Sequence, residues 1–110
     1  MAGYFELKNA AGGKFSFNLK AGNHEVILTS ETYNSKGGAE DGIASVKKNA
    51  PDDKRYERKV AKDNSPYFVL TAANGQTIGK SEMYSSASAM EGGIASVKAN
   101  APTATTKDLT

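Results

Sequence analysis

Apolar and polar residues alternate along several short stretches of the chain, which is the pattern of strands in a half-buried sheet. The clearest stretch runs from Phe15 to Ala21, where every second residue is apolar and would lie on one face. Shorter runs at 5–8, 25–29 and 67–71 predict further strands. Glycine-containing turns separate these runs, so the pattern favours antiparallel strands with one face buried and the other exposed to water.

Two other stretches have the spacing of amphipathic helices. The first is predicted to follow an N-cap at Ser35 and to end near Asn49, because the residue before Pro51 is pushed out of the α region. The second is predicted over about 88–100, with Ser86 as its N-cap. The apolar stripes are Ala39, Ile43, Val46 and Ala50 in the first helix and Met90, Ile94, Val97 and Ala101 in the second.

The chain is a tandem repeat. The block GIASVKKNAP at 42–51 returns as GIASVKANAP at 93–102, identical at nine of ten positions, and the offset of 51 aligns 5–52 with 56–103 without a gap. Because the copies share every loop length, they are expected to share one backbone, related by a pseudo-twofold axis.

The near-identity of the ten-residue block has two explanations. The two blocks could pack against each other near the pseudo-axis, or they could form a duplicated ligand site, and we favour packing. Each block begins with a glycine, Gly42 or Gly93, inside the predicted helix, where alanine would be better by ~1 kcal/mol. These glycines therefore predict that another group approaches the helix backbone closely.

The second copy is less regular than the first. Pro66 stands where Phe15 stood, which weakens the start of its strand or places that strand at a sheet edge. Asn74 and Gly75 predict a stronger hairpin turn than the equivalent turn of the first copy. Arg58 replaces a leucine.

Length and composition favour a small, soluble, globular domain. We predict a single domain over residues 1–110, made of repeats 5–52 and 56–103, with 104–110 as a polar tail that frays or adds a short strand. Each repeat has about 50 residues, too few for a stable core of its own, so the halves should share one. The chain has no cysteine, no membrane-length apolar run and no visible secretory signal, which favours the cytoplasm, and its net charge is +2.

The pattern Leu-Lys-Ala-x-Asn, then Ile, then Ser-Glu-x-Tyr, then Gly-Ile-x-Ser-Val-Lys resembles the YegP-like family of bacterial proteins of unknown function. It occupies Leu19–Asn23, Ile27, Ser30–Tyr33 and Gly42–Lys47, and recurs from Leu70 to Lys98. The resemblance implies an α+β fold of two tandem βββα repeats, forming one antiparallel meander sheet packed on two helices. It also implies that the segment after each helix pairs with the other unit, a role for the connector into Tyr56 and for 105–108. It transfers no functional residue.

No residue pattern predicts a catalytic, cofactor or metal site. The single histidine, His24, lies beside a hairpin turn and is interpreted as a surface residue. Tyr33 and Tyr84 stand at matching positions between strand and helix, where they could line a ligand site but are favoured as plugs at the end of the core. Lys36-Gly37-Gly38 could cradle an anion at a helix start, although a simple entry turn is favoured.

Repeated carboxylates are the remaining candidates for chemistry. Glu31, Glu40, Glu82 and Glu91 could form an acid–base pair across the pseudo-axis, but capping and pairing with lysines are favoured.

The connector 47–63 is the candidate partner surface. It carries seven basic and four acidic residues with Tyr56 inside it and Tyr67 nearby. A nucleic-acid surface would use such residues, although a salt-bridged connector is favoured. We predict a monomeric, non-enzymatic binding or structural module with no membrane partner, and weak nucleic-acid binding through 47–63 as the alternative.

Overall fold

The computed structural model describes residues 3–110, which form one seven-stranded sheet and two helices. The strands are β1 (Tyr4–Ala10), β2 (Lys14–Lys20), β3 (Val26–Thr29), β4 (Tyr56–Val60), β5 (Pro66–Thr71), β6 (Thr77–Lys80) and β7 (Thr105–Asp108), and the helices are α1 (Lys36–Asn49) and α2 (Ala87–Asn100). Short 3-10 turns lie at Ala11–Gly13, Asp53–Arg55 and Ala101–Thr103. We call β1–β3 with α1 unit 1, and β4–β6 with α2 unit 2.

The strand order is β4-β5-β6-β3-β2-β1-β7. The units meet where β3 and β6 run antiparallel, with Thr29 opposite Lys80. The repeat offset relates these two residues to each other, so the pseudo-twofold axis passes between them. The predicted α+β fold of two tandem βββα repeats in one meander sheet is confirmed.

β7 extends the sheet beyond unit 1. It runs parallel to β1, with Tyr4 opposite Thr105 and Leu7 opposite Asp108, whereas the other neighbouring strands are antiparallel. The tail therefore adds a strand, which is one of its two predicted outcomes, and the segment after α2 pairs with the other unit. The segment after α1 turns at Asp53–Arg55 and continues directly into β4.

Both helices begin at their predicted caps. Ser35 Oγ accepts a hydrogen bond from Gly38 N–H at 3.0 Å, and Ser86 Oγ accepts one from Ala89 N–H at 3.1 Å. These bonds satisfy N–H groups that the first turn of a helix leaves without a partner. All the predicted stripe residues are buried, so the 3.6-residue period identified the core-facing side of each helix.

Each helix packs on strands of both units. α1 contacts β1 and β2 of its own unit and β5 and β6 of the other, while α2 contacts β5 and β3. The repeated blocks therefore pack mainly on the sheet, whereas we expected them to pack against each other. The contact between α1 and the second block lies chiefly at the turn Ala101–Thr103. One hydrophobic cluster includes residues of both units, which agrees with the predicted shared core.

The core departs from symmetry at the pseudo-axis. Leu28 of β3 is fully buried, and its repeat equivalent in β6 is Gly79. A Cβ built on Gly79 would lie 2.6 Å from Leu28 Cγ. The space near the axis is therefore filled by one leucine and has no room for a second large side chain.

Three hairpin turns share one geometry, at 21–25, 61–65 and 72–76. In each, the first residue donates its N–H to the carbonyl of the last. The fourth residue is left-handed: His24 (φ 70°), Asn64 (φ 69°) and Gly75 (φ 83°). In the predicted Asn-Gly turn, Gly75 is left-handed and Asn74 is not, because the geometry is a type I turn followed by one left-handed residue.

Two residues lie differently from their predicted positions. Pro66 is the first residue of β5, which is tolerated, but β5 lies inside the sheet, so the alternative of an edge strand is wrong. Asn18 was expected on the wet face and is only 8% exposed. When its side-chain amide is oriented so that its nitrogen and its oxygen both have hydrogen-bond partners, the oxygen accepts a hydrogen bond from Lys8 Nζ at 2.9 Å.

Candidate binding site on the outer face of the sheet

Tyr33 and Tyr84 lie between the last strand of each unit and its helix, as predicted. Two backbone hydrogen bonds with Phe15 fix Tyr33, whose N–H donates at 2.7 Å and whose carbonyl accepts at 2.8 Å. The Tyr33 ring stacks on Phe17 with centroids 6.1 Å apart, and the Tyr84 ring stacks on Phe68 at 6.3 Å. Both tyrosines are thus attached to the aromatic part of the core.

The same rings cover the helix glycines. A Cβ built on Gly42 would lie 2.7 Å from Tyr33 Cζ, and one built on Gly93 would lie 2.6 Å from Tyr84 Cζ. Burial raises the pKa of both tyrosine hydroxyls, and Glu31 adds to the rise at Tyr33. This geometry favours the core-plug interpretation of the tyrosines and the packing interpretation of the repeated glycines.

The repeated Ser-Glu pairs close the end of a hairpin. Ser81 is 5% exposed, and its Oγ accepts a hydrogen bond from Phe68 N–H at 3.0 Å and donates one to the Glu82 carbonyl at 2.8 Å. Ser30 makes the equivalent two bonds in unit 1. These serines therefore satisfy backbone groups beside the core, as buried polar atoms must.

The four repeated glutamates are dispersed. Arg58 donates two hydrogen bonds to Glu91, at 2.6 and 3.0 Å, and this contact lowers the pKa of the Glu91 carboxyl. Glu40 and Glu82 are exposed, and Glu31 lines a cavity on the sheet. The ion-pair interpretation fits Glu91, which contacts Arg58.

The turn predicted as a possible anion cradle contacts the chain's own carboxylate. Lys36 Nζ lies 2.5 Å from Asp108 Oδ2 of β7. This contact raises the pKa of Lys36 and lowers the pKa of Asp108. The entry-turn interpretation is therefore favoured, with Lys36 holding the C-terminal strand.

His24 is exposed in its hairpin turn, with its Nδ1 2.9 Å from Tyr4 Oη. Within residues 3–110, no group of three or more histidine, cysteine or carboxylate side chains is placed to hold a metal ion. None of the helices in that range is long and apolar enough to cross a membrane.

Ion pairs occupy much of the basic connector 47–63. Arg58 and Lys98 both contact Asp53, at 3.1 and 2.6 Å, and these contacts lower the pKa of the Asp53 carboxyl. Tyr56 is 5% exposed and donates its hydroxyl to the Ala50 carbonyl at 2.7 Å, and burial raises its pKa. The salt-bridged connector is therefore favoured, and the geometry does not support a nucleic-acid surface there.

A cavity of about 390 Å³ lies on the outer face of the sheet, away from the helices. Val69 of β5 is one of its lining residues and is only 7% exposed although it lies on the outer face. Tyr67 is half-buried beside it, and Lys80 Nζ lies 5.1 Å from the Tyr67 ring centroid. The remaining lining residues are Thr29, Ser30, Glu31, Lys59, Thr77 and Ser81.

The electrostatics of this outer-face cavity favour an anion. Lys59 and Lys80 bring two ammonium groups to the lining, where Glu31 is the single carboxylate. The nearest carboxylate partner of Lys59 is Glu57, 3.6 Å away with both side chains about half exposed. Such an exposed pair contributes little, so Lys59 can turn toward a bound anion.

Unit 1 has different residues at the positions that build this cavity. Tyr67, Val69 and Lys80 of unit 2 correspond to serine, asparagine and threonine in unit 1. There an ion pair between Lys20 and Glu6, at 2.8 Å, lies on the same face of the sheet. The outer-face cavity is therefore a feature in which the two copies diverge.

Sequence reasoning missed this cavity because it compared the copies for identities. The cavity could have been located from the outward-facing positions at which unit 1 has a polar residue and unit 2 has an aromatic, apolar or basic residue.

Comparison with known proteins supports the repeat. The model of a family described as a domain of unknown function, DUF1508, matches twice, at residues 10–57 and 61–108. A UPF0339 protein of Bordetella pertussis is 67% identical over 110 residues, covering 100% of this chain and 98% of the relative. The UPF0339 protein YegP of Escherichia coli is 56% identical over 110 residues, covering 100% of each chain.

Two solution NMR structures have the same fold. The UPF0339 protein of Shewanella oneidensis is 54% identical with a TM-score of 0.93, and the match covers 99% of this chain and 92% of that one. YegP of Escherichia coli is 56% identical with a TM-score of 0.93, and the match covers 99% of this chain and 94% of that one.

Proposed function

Because this chain belongs to the UPF0339 family, whose repeated domain DUF1508 is described as of unknown function, we propose that it is a non-enzymatic binding module with its ligand site in the outer-face cavity. No enzymatic role is indicated for the family. The lining residues include lysines, hydroxyl side chains, one tyrosine and one glutamate, with no histidine or cysteine to activate a nucleophile.

One observation carries this proposal: unit 2 places Lys80 and the Tyr67 ring beside the buried Val69 and near Lys59, whereas unit 1 has threonine, serine and asparagine at the positions of Lys80, Tyr67 and Val69. A volume of about 390 Å³ falls in the range of small-molecule pockets, roughly 300–1,000 Å³. The ligand class that fits is a small organic anion with a flat apolar part. Its charge would meet Lys59 and Lys80, and its flat part would lie against Tyr67 and Val69.

The surroundings of the site support a rigid platform. Tyr67 and Lys80 lie on β5 and β6, and Val69 is directly opposite Lys80 in that pair of strands. Side chains held on paired strands keep their spacing better than side chains on loops, so little ordering is needed when a ligand binds.

We further propose a cytoplasmic monomer. The absence of cysteine suits a reducing compartment, and the internal pseudo-twofold already supplies the isologous contact between equivalent units.

Titration of the ¹⁵N-labelled protein with phenyl phosphate tests the site. We expect saturable amide shifts at Thr29, Tyr67, Val69 and Lys80, weakening as salt is added. Benzyl alcohol, which has the ring without the charge, should cause much smaller shifts. Absence of saturable shifts at these residues at millimolar phenyl phosphate, or equal shifts with benzyl alcohol, would contradict the proposal.

A further inference from the structure

The outer strands of the two units are not covered in the same way. β1 is covered by β7, whereas β4, its repeat equivalent, pairs with β5 on one side only. Within residues 3–110, no strand pairs with the other side of β4. We infer that this open edge of β4, over Tyr56–Val60, is a docking site for an extended segment of a partner protein; docking there does not require a ligand in the outer-face cavity, although Lys59 of β4 also lines that cavity.

The backbone of β4 is oriented for such an addition. Ala61 N–H donates to the Ser65 carbonyl at 2.9 Å, which continues the β4–β5 register. In an antiparallel pair, bonded positions alternate with positions whose N–H and C=O point to the opposite side. Arg58 and Val60 therefore present their backbone groups to the open edge. Leu7, the equivalent of Arg58, uses its carbonyl to bind the segment that follows β7.

The way β7 covers β1 specifies the segment that fits β4. In that parallel pair, Lys107 lies opposite Glu6 and Asp108 opposite Leu7. The repeat offset transfers the same register to Glu57 and Arg58. A segment added there would place a basic residue opposite Glu57 and an acidic residue opposite Arg58. Glu57 therefore selects the basic residue, while Arg58, which already contacts Glu91 and Asp53, excludes a basic residue at the next position and accepts an acidic one as a further partner.

The charged side chains of β4 also exclude unsuitable strands. Glu57, Arg58 and Lys59 are consecutive and exposed, a common protection of sheet edges against nonspecific pairing. A strand with the opposite charge order would meet like charges at two positions, which is unfavourable between directly opposed residues.

The occupant is assigned to another protein because the chain's own tail is held in place. Asp108 contacts Lys36 at 2.5 Å, and Leu109 N–H donates to the Leu7 carbonyl at 2.8 Å. A tail from a second copy would have to give up these contacts before it could reach β4.

A peptide with the sequence of residues 104–110, ATTKDLT, is the probe, acetylated and amidated at its ends. Titrated into the full-length ¹⁵N-labelled protein, it should shift the amides of Arg58 and Val60 and slow their hydrogen exchange. The control peptide ATTDKLT, with the two charged residues exchanged, should have a lower affinity, by about two- to fivefold for each charge pair that the exchange disrupts. Equal binding of both peptides, or no shift in β4, would overturn the inference.

A charge-swap variant separates edge recognition from folding defects. Glu57→Lys changes an exposed side chain, and it should weaken ATTKDLT but restore binding to ATTEDLT, in which the lysine is replaced by glutamate. If the peptide shifts only the amides of β1, it has replaced β7 there, and the edge of β4 is not the docking site. Dimerisation of the protein alone with slowed exchange in β4 would overturn the assignment to a partner protein.

Discussion

At the residue scale, a tyrosine ring covers the helix glycine of each unit, but the backbone of that tyrosine is bonded differently in the two units. A Cβ on Gly42 would lie 3.0 Å from Phe17 Cε2, whereas one on Gly93 would lie 3.3 Å from Phe68 Cε2. The covering tyrosine of unit 1 has two backbone bonds to its hairpin, whereas that of unit 2 donates to Pro66, which has no N–H to donate in return. The Gly42 site therefore has less freedom to relax.

We predict that Gly42→Ala destabilises the protein by about 1–3 kcal/mol, because the added methyl must displace Tyr33 or Phe17. Gly42→Leu should cost more, and the same order of alanine and leucine should hold at Gly93, where the tyrosine ring is equally close. Chemical denaturation of the single variants measures the order.

The matched control is Gly92→Ala, next to Gly93 on the same helix. A Cβ there meets nothing within 4 Å, so the substitution should stabilise the protein by roughly 0.5–1 kcal/mol. An alanine at Gly42 that is more stable than wild type would mean that the tyrosine ring moves aside without cost.

The sequence predicted close packing at Gly42 and Gly93 but not the group that causes it. The glycines indicated only that some group approaches the helix, and the structure identifies that group as Tyr33 at Gly42 and Tyr84 at Gly93. Spacing along a helix identifies a face, whereas the direction of a loop side chain depends on backbone bonds outside the helix. The same limit applies to His24, whose left-handed backbone is evident from the sequence only through its alignment with Gly75.

At the element scale, β7 is held by its backbone pairing with β1 and by one ion pair, without any buried side chain. Its four residues are exposed, and the ion pair of Asp108 with Lys36 joins it to the start of α1. The Asp108 pKa is lowered, first by Lys36 and then by Thr110. A depressed carboxyl pKa stabilises the folded state above the ordinary aspartate value of about 3.9, and this contribution is lost as pH falls through the folded pKa.

We predict that Asp108→Asn loosens β7 at neutral pH without unfolding the sheet, because it removes the charge that binds Lys36. Hydrogen exchange of the Leu109 amide should become faster, while that of Ser30, which donates to Phe17, should not change. Asp41→Asn, on the exposed side of α1, is the control; equal acceleration in that variant would show that the ion pair does not hold β7.

The strands β1, β2, β3 and β5 and both helices could be predicted from the sequence because each contains a run of buried residues. β4 is buried only at Tyr56, so it could be expected only as the repeat of β1, and β6 only as the repeat of β3. β7 has no buried residue, so alternation left a strand there as one of two outcomes, and the family resemblance implied that Thr105–Asp108 pairs with the other unit. Pro66 shows a related limit. A proline restricts a strand locally, but the position of that strand in the sheet depends on pairing with distant residues.

At the scale of the whole molecule, the two units share one core. α1 packs on β5 and β6 of the other unit, and Leu28 of unit 1 occupies the space above Gly79 of unit 2. Neither unit can bury these surfaces alone.

We therefore predict that residues 1–52, expressed alone, are unfolded or self-associate, because α1 would lose its packing against β5, β6 and the turn Ala101–Thr103. The full chain should unfold in one cooperative transition with coincident circular dichroism and fluorescence curves. A monomeric half with sharp, dispersed amide resonances would show that each unit is an independent domain.

The duplication made the fold predictable, and the divergence between the copies locates the candidate site. Identical positions such as Gly42 and Gly93 report packing that both units need. Tyr67 and Lys80 differ from their counterparts Ser16 and Thr29, so a search for shared residues passes over them. Their meeting in one cavity depends on the register of β5 against β6, which local pattern does not determine.

The central claim is that Tyr67 and Lys80, which have no equivalent side chains in unit 1, form the ligand site, and it is tested most directly by placing the unit 1 residues at these positions of unit 2. The double variant Tyr67→Ser and Lys80→Thr should fold with near wild-type stability, since both side chains lie on the outer face, and should lose its response to phenyl phosphate. The single variant Lys80→Thr should respond more weakly than wild type. If the folded double variant keeps the saturable shifts at Thr29 and Val69 with unchanged affinity, the outer-face cavity is not the site.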